Sequence, residues 1–276
     1  MRDSIKAGVL VAGVAMLTAA GAQAASGVEL KNVAARVIVT PEDRSDVKVT
    51  VSYGKADLPK VMVSERGGSL LVSGQLNKRE LNCNGAQNIR IKGKSIAVSD
   101  LPVITLRVPR DAKINSEGAT FGRVSAARSL SFGLGGCGDW TIDTVDNKAE
   151  LSLGGSGTLR AGNLGDAEIA VGGSGDVYTG KVRKLSGAIG GSGSINVAEV
   201  SGPVELAIGG SGDVRIEKGY APKLEVSIAG AGDVRFAGEA GDVEISIVGS
   251  GDVSIRKASG HVSRTVMGSG NIRIGQ

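Results

Sequence analysis

A glycine corner that returns every 18 to 20 residues constrains this chain more than any other feature. From Gly136 to the C-terminus, Gly-x-Gly followed by a small polar residue occurs eight times. Its second glycine is Gly138, Gly157, Gly175, Gly193, Gly212, Gly232, Gly251 and Gly270. The gaps are 19, 18, 18, 19, 20, 19 and 19 residues, and a period that tight marks units that stack on one another.

The residues around each corner say what the unit is. Four, six and eight places before Gly212 stand Ile208, Leu206 and Val204; before Gly232, Ile228, Val226 and Leu224; before Gly251, Ile247, Ile245 and Val243. Two and four places after the corners stand Val214 and Ile216, Val234 and Phe236, Val253 and Ile255, Ile272 and Ile274. Arg215, Arg235, Ser254 and Arg273 lie between them and face the other way. This period-2 alternation, rich in β-branched residues, marks strands with one buried face.

Each unit is thus strand, glycine corner, strand, looser turn. About 19 residues are too few for a propeller blade, which needs roughly 40 to 45. The expected fold is all-β: a right-handed parallel β-solenoid of about 19 residues per coil, each rung about 4.8 Å from the next. One rung cannot bury its apolar residues alone, so the core must run continuously through the stack. The corner glycines are expected to supply positive φ and close backbone approach. The corner serines, Ser156, Ser174, Ser192, Ser211, Ser250 and Ser269, are expected to bond the turn's own backbone.

Residues 1–24 have the form of a secretory signal. Arg2 and Lys6 precede an apolar run, and Ala22-Gln23-Ala24 fits the cleavage rule. Residues 25–115 read as irregular N-terminal strands that cap the stack, interrupted by a polar basic loop at 74–94, and residues 116–276 as the repeat domain. Two residues break the inward pattern. Gly187 leaves a gap that a large neighbour can fill, and Arg264 stands where Leu206, Val226 and Ile245 stand in earlier coils. A core charge is costly, so the last rung reads as a terminal cap with Arg264 reaching solvent or the C-terminal carboxylate, or else as a surface for end-to-end docking. Trp140 is expected to plug the start of the regular stack.

Net charge is +4, and Lys78, Arg79, Arg90, Lys92 and Lys94 against Glu80 account for a local +4. A basic pI that comes from one loop does not describe a nucleic-acid binder, and 3% aromatic residues leave few stacking platforms. Those five cations are candidates for contact with an anionic polymer or lipid head groups; a solvated insertion is the alternative. Cys83 and Cys137, in an exported chain, either form a disulfide or remain free thiols. Asp213, Asp233 and Asp252 should stack on consecutive rungs, where a bound cation such as calcium would relieve their repulsion; capping of exposed turns is the other reading. With His261 as the single histidine and no nucleophile-base pattern, catalysis has little to stand on, and the glycine corners lack the Lys-Ser/Thr of a phosphate loop.

The successions Gly-Ser-Gly-Asp-Val, Val-Glu-Leu-Ala-Ile-Gly-Gly-Ser-Gly and Gly-Asp-Val-Glu-Ile-Ser-Ile, with Leu106-Arg107-Val108-Pro109, resemble the bacterial head GIN domain family of adhesin-like proteins. The resemblance covers roughly Ile104 to Gln276. It implies a β-helix without catalytic residues and a role in adhesion at the cell envelope, and brings no functional residue with it. The expected function is a non-enzymatic, exported binding scaffold, in the periplasm or at the cell surface, that contacts envelope polysaccharide or a surface protein. A carbohydrate-binding or polysaccharide-cleaving β-helix is the alternative, and self-association through the last rung, Asn271 to Ile274, is a further expectation.

Overall fold

The structure, a computed structural model, describes residues 14–15, 27–83 and 88–275. The export signal expected at residues 1–24 lies outside the described residues, apart from Val14–Ala15, which pair antiparallel with Val51 and Ser52. The chain is a parallel β-solenoid of about nine turns at about 19 residues per turn. Among the described residues, the only helical elements are two 3-10 turns, Lys78–Glu80 and Val98–Asp100.

Each coil places one strand in each of two columns. The first includes Ser129–Leu134, Val145–Leu153, Leu164–Val171, Val204–Ile208, Tyr220–Ile228 and Val262–Gly268. The second includes Asp139–Ile142, Thr158–Ala161, Ser194–Val200, Asp213–Ile216, Val253–Ala258 and Ile272–Ile274. Asp176–Ile189 and Val234–Gly249 run through the looser turn and serve both. Parallel register aligns Phe132, Leu151, Ile169, Gly187, Leu206, Val226 and Ile245 in one inward row. Apart from Gly187 these side chains are buried, each stabilising the stack by about 1.5–3 kcal/mol. The gap at Gly187 is filled by neighbours: a Cβ there would lie 3.0 Å from Leu206 Cδ2 and 3.4 Å from Ile195 Cδ1.

At most corners the glycine is required by close approach rather than by positive φ. Gly193 is outside the left-handed region, yet a Cβ on it would lie 2.0 Å from the Gly175 carbonyl oxygen of the preceding rung. The corner serines act through their amides. Ser192 N–H, for example, donates to the Gly173 carbonyl at 3.1 Å, so rungs bond to rungs around the turn as well as along the strands.

The N-terminal strands enter the same columns out of chain order. Gly27–Glu42 lies between Asp111–Val124 on one side and Ser69–Ser73 and Val103–Pro109 on the other, all parallel. Beyond that rung the direction reverses: Lys48–Ser52 pairs antiparallel with Val103–Pro109, and Met62–Arg66 with Ser69–Ser73. Arg107–Glu42 at 2.8 Å and Arg110–Asp43 at 2.6 Å hold the place where the chain skips a rung. Next along, Arg128 pairs with Asp111.

Trp140 is fully buried beside the Cβ-less Gly122, where an added Cβ would lie 2.5 Å from the indole ring. Its Nε1 donates to Thr120 Oγ1 at 3.0 Å, and the Ser116 and Thr120 hydroxyls bond at 2.8 Å. These three buried polar groups satisfy one another where the irregular coils meet the regular ones.

Candidate functional site

The basic loop is a folded flap. Leu81–Cys83, Asn88–Ile91 and Lys94–Ala97 form an antiparallel sheet, turned at Lys92-Gly93 with φ of 51° and 80°, the geometry of a two-residue hairpin. Its inner residues Ile89 and Ile91 join Leu76, Leu101, Ala119 and Phe121 in a second core against the outside of the solenoid. Arg79, Arg90, Lys92 and Lys94 are exposed on its outer side, with Lys92 3.9 Å from Glu80; Lys78 begins the 3-10 turn. Cys83 and Cys137 are joined by a disulfide, Cα to Cα 6.0 Å, which ties the flap to the first glycine corner.

On the second strand column an open trough of about 600 Å³ runs across six rungs, from Asp176 to Arg273. Two rows of side chains line it, both set by strand register. Asp176, Ser194 and Asp213 align with one another, as do Tyr178, Asn196 and Arg215. The second row continues with Arg235, Ser254 and Arg273. The sequence stacks Asp213, Asp233 and Asp252 on consecutive rungs but marks Arg215, Arg235, Ser254 and Arg273 only as outward-facing; it takes the register to show that the two rows make one surface.

The aspartate row is tied to the backbone. Asp213 Oδ1 accepts the Asp233 N–H at 3.0 Å, Asp233 Oδ1 the Asp252 N–H at 2.8 Å, and Asp252 Oδ1 the Asn271 N–H at 2.9 Å. Each carboxylate caps the following rung, and each chain amide it accepts offsets part of the like-charge repulsion. Among the described residues no group of three or more His, Cys, Asp or Glu side chains is placed to hold a metal ion.

The arginine row is less compensated. Arg215 lies directly opposite Arg235 across the strands, an arrangement of like charges that costs stability. Arg215 has Glu217 at 3.4 Å, whereas Arg235 and Arg273 have no ion-pair partner among the described residues. At the far end the Arg160 guanidinium sits 5.4 Å from the Tyr178 ring centroid, and Tyr178 remains 41% exposed. The opposite outward face is acidic instead: Glu150 and Glu168 align, as do Glu205, Glu225 and Glu244, with Lys148 and Lys223 among them.

The rungs that carry most of this trough are also those with a family counterpart. Residues 200–276 match the family described as "Putative auto-transporter adhesin, head GIN domain". No curated protein sequence matches the chain. Two crystal structures resemble the whole chain loosely. One, described as a putative lipid binding protein from Parabacteroides distasonis, shares 15% identity over 96% of both chains at a TM-score of 0.45. The other, described as a putative adhesin from Parabacteroides merdae, shares 16% identity over 96% of this chain and 95% of its own, at 0.43. Neither description nor that of the head GIN family names an enzyme. Of the trough residues, Asp213, Arg215, Asp233, Arg235, Asp252 and Arg273 fall inside the head GIN segment, while Asp176, Tyr178, Ser194 and Asn196 precede it. Among the described residues no helix is long and apolar enough to cross a membrane.

Proposed function

We propose that the protein is a non-enzymatic, exported scaffold of the bacterial cell envelope that displays a rigid binding face, in the periplasm or at the cell surface. The observation that carries this reading is the trough: polar side chains in rows, on strands whose spacing is fixed by backbone bonds from rung to rung. A surface built that way needs little ordering on contact, which lowers the entropic cost of binding. The adhesin description of the head GIN segment supports it. So does the Cys83–Cys137 disulfide, which belongs in an oxidising compartment. The exposed cations of the flap offer a second contact surface, for an anionic polymer.

The test is location and adherence together. Cell fractionation with surface protease accessibility should find the protein outside the cytoplasm, and particles coated with it should adhere to envelope material. A cytoplasmic location, or particles no stickier than those coated with an unrelated exported protein, overturns the reading. Depolymerisation of a polysaccharide by the purified protein would replace the scaffold with an enzyme.

A further inference from the structure

We infer that the trough from Asp176 to Arg273 is a binding site for an uncharged, hydroxyl-rich polymer, a neutral glycan lying along the solenoid axis. The inference rests on the scaffold reading and names its ligand.

The chemistry of the two rows points there. Guanidinium groups only donate hydrogen bonds and carboxylates only accept them, whereas a sugar hydroxyl does both. Carboxylates at Asp213, Asp233 and Asp252 beside guanidiniums at Arg215, Arg235 and Arg273, with the two-way Ser254 hydroxyl among them, on rungs about 4.8 Å apart, therefore fit a polymer with hydroxyls along its length. The acceptors are held in place, since Asp213, Asp233 and Asp252 each have one oxygen fixed by the next rung's amide. The donors are available, since Arg235 and Arg273 have no ion-pair partner among the described residues. The Arg215–Arg235 cross-strand pair is unfavourable in itself and only Arg215 has an acidic partner, Glu217 at 3.4 Å, so a ligand that bonds both guanidiniums would relieve it.

Charge balance selects against the alternatives. Four aspartates (Asp176, Asp213, Asp233, Asp252) stand against three arginines (Arg215, Arg235, Arg273), a difference of −1. A polyanion would lie on the carboxylates and a polycation on the guanidiniums, and each like-charge contact is costly. Tyr178, exposed at one end of the trough, supplies a flat apolar ring edged by a polar group, a shape that packs against a sugar face. Six rungs, five steps of about 4.8 Å, give a reach of about 24 Å.

The experiment uses the intact exported protein on an array of neutral oligosaccharides of increasing length, with polygalacturonate as an anionic probe and an unstructured peptide as a third. Calorimetry follows on any positive. The expected result is binding to a neutral glycan that strengthens with length up to the reach of the trough and changes little between low and high salt. Arg235→Ala and Tyr178→Ala should each weaken it about tenfold or more. Asp233→Asn, which keeps an oxygen for the Asp252 amide, should weaken it while leaving the melting temperature unchanged. Glu168→Ala on the opposite face should bind as the parent does. Neutral glycans that fail to bind while coated particles still adhere overturn the trough and leave the scaffold standing. Binding only to polygalacturonate with steep salt dependence, binding only to the peptide, or full affinity in Arg235→Ala also overturns it. Glycan binding by a protein whose coated particles do not adhere supports the trough and removes the scaffold.

Discussion

The two ends of the solenoid meet the same problem with different devices. A parallel stack cut anywhere leaves a row of unpaired backbone groups and an open apolar core. At the N-terminal end, antiparallel strands cover the rung of Ser69–Ser73 and Val103–Pro109, so that Ile104 is 0% and Val51 2% exposed. At the C-terminal end Val262–Gly268 and Ile272–Ile274 repeat the pattern of the rungs before them, and among the described residues no strand pairs with their outer edge. Val266 is 40% and Met267 59% exposed there. What distinguishes the last rung is Arg264, aligned with Ile245 and exposed. A strand laid on this rung would bury that guanidinium at a cost of several kcal/mol. Among the described residues one end is thus closed by antiparallel strands, whereas the other carries a charge in the core row.

The largest test of that contrast places an acid in an inward-facing position at each end: Ile104 in the row of Val37 and Val266 in the row of Ile247. Ile104→Asp should cost more than about 4 kcal/mol, because the cap leaves the carboxylate no route to water. Val266→Asp should cost about 1 kcal/mol or less. Urea midpoints of the two variants measure the difference directly, and equal losses would show that the C-terminal rung is covered in solution.

The flap belongs to the capped half and is tied there by one covalent bond in addition to its apolar core. Replacing Cys83 and Cys137 with serine opens a crosslink across 54 residues. A loss of about 2–4 kcal/mol is the general expectation. It should appear as faster amide exchange at Ile89 and Ile91, whose core holds the flap to the solenoid, with exchange at Ile245 and Ile247 unchanged. Uniform acceleration along the rod would mean that the two halves unfold as one.

How much of this was legible follows from how far the repeat extends. Spacing and alternation identify the coils from Gly138 onward because every rung there has the same corner. Nothing comparable marks Gly27–Glu42, which pairs with strands that follow it by tens of residues. An insertion between later strands leaves no period in the sequence. The flap reads as a polar loop because its apolar alternation, Ile89 and Ile91, spans only a few residues, too few to outweigh five cations. Arg215, Arg235 and Arg273 are plainly outward-facing, but that they form one row with Asn196 and Tyr178 depends on register across gaps of 18 to 20 residues. The corner glycines were legible as corners, while the reason for most of them, a carbonyl oxygen about 2 Å from an absent Cβ, requires the neighbouring rung.

Removing the charge at the open end should change association more than stability. Arg264→Val restores the inward row of Leu206, Val226 and Ile245 and leaves an apolar, unpaired edge. The variant should form concentration-dependent dimers or longer end-to-end assemblies in light scattering, under conditions where the parent chain is monomeric. Arg264→Glu, which keeps a charge in the row, should stay monomeric. Assembly of the parent to the same extent, or a monomeric Arg264→Val, removes Arg264 as the blunting device.

The smallest effect expected is the acid response of the capped half. Side-chain hydrogen bonds from Arg110 to Asp43, and from Arg128 to Asp111, hold both carboxyls below the usual carboxylate range. A depressed folded-state value means that the unfolded chain binds protons first as pH falls, so the contribution is present at neutral pH. It declines below about pH 4 and is lost through the lower folded value. Both pairs lie at the surface, so the effect is slight and screened by salt. It should be local as well: below pH 4 the Arg128 and Ser129 amides, which donate to the Arg110 carbonyl, should exchange faster at low salt, relative to their intrinsic rates, while the Ser269 amide at the other end, which donates to the Gly249 backbone carbonyl, sets the reference. Protection of Arg128 that tracks Ser269 across the same range would show that the skipped rung is held by its backbone pairing alone.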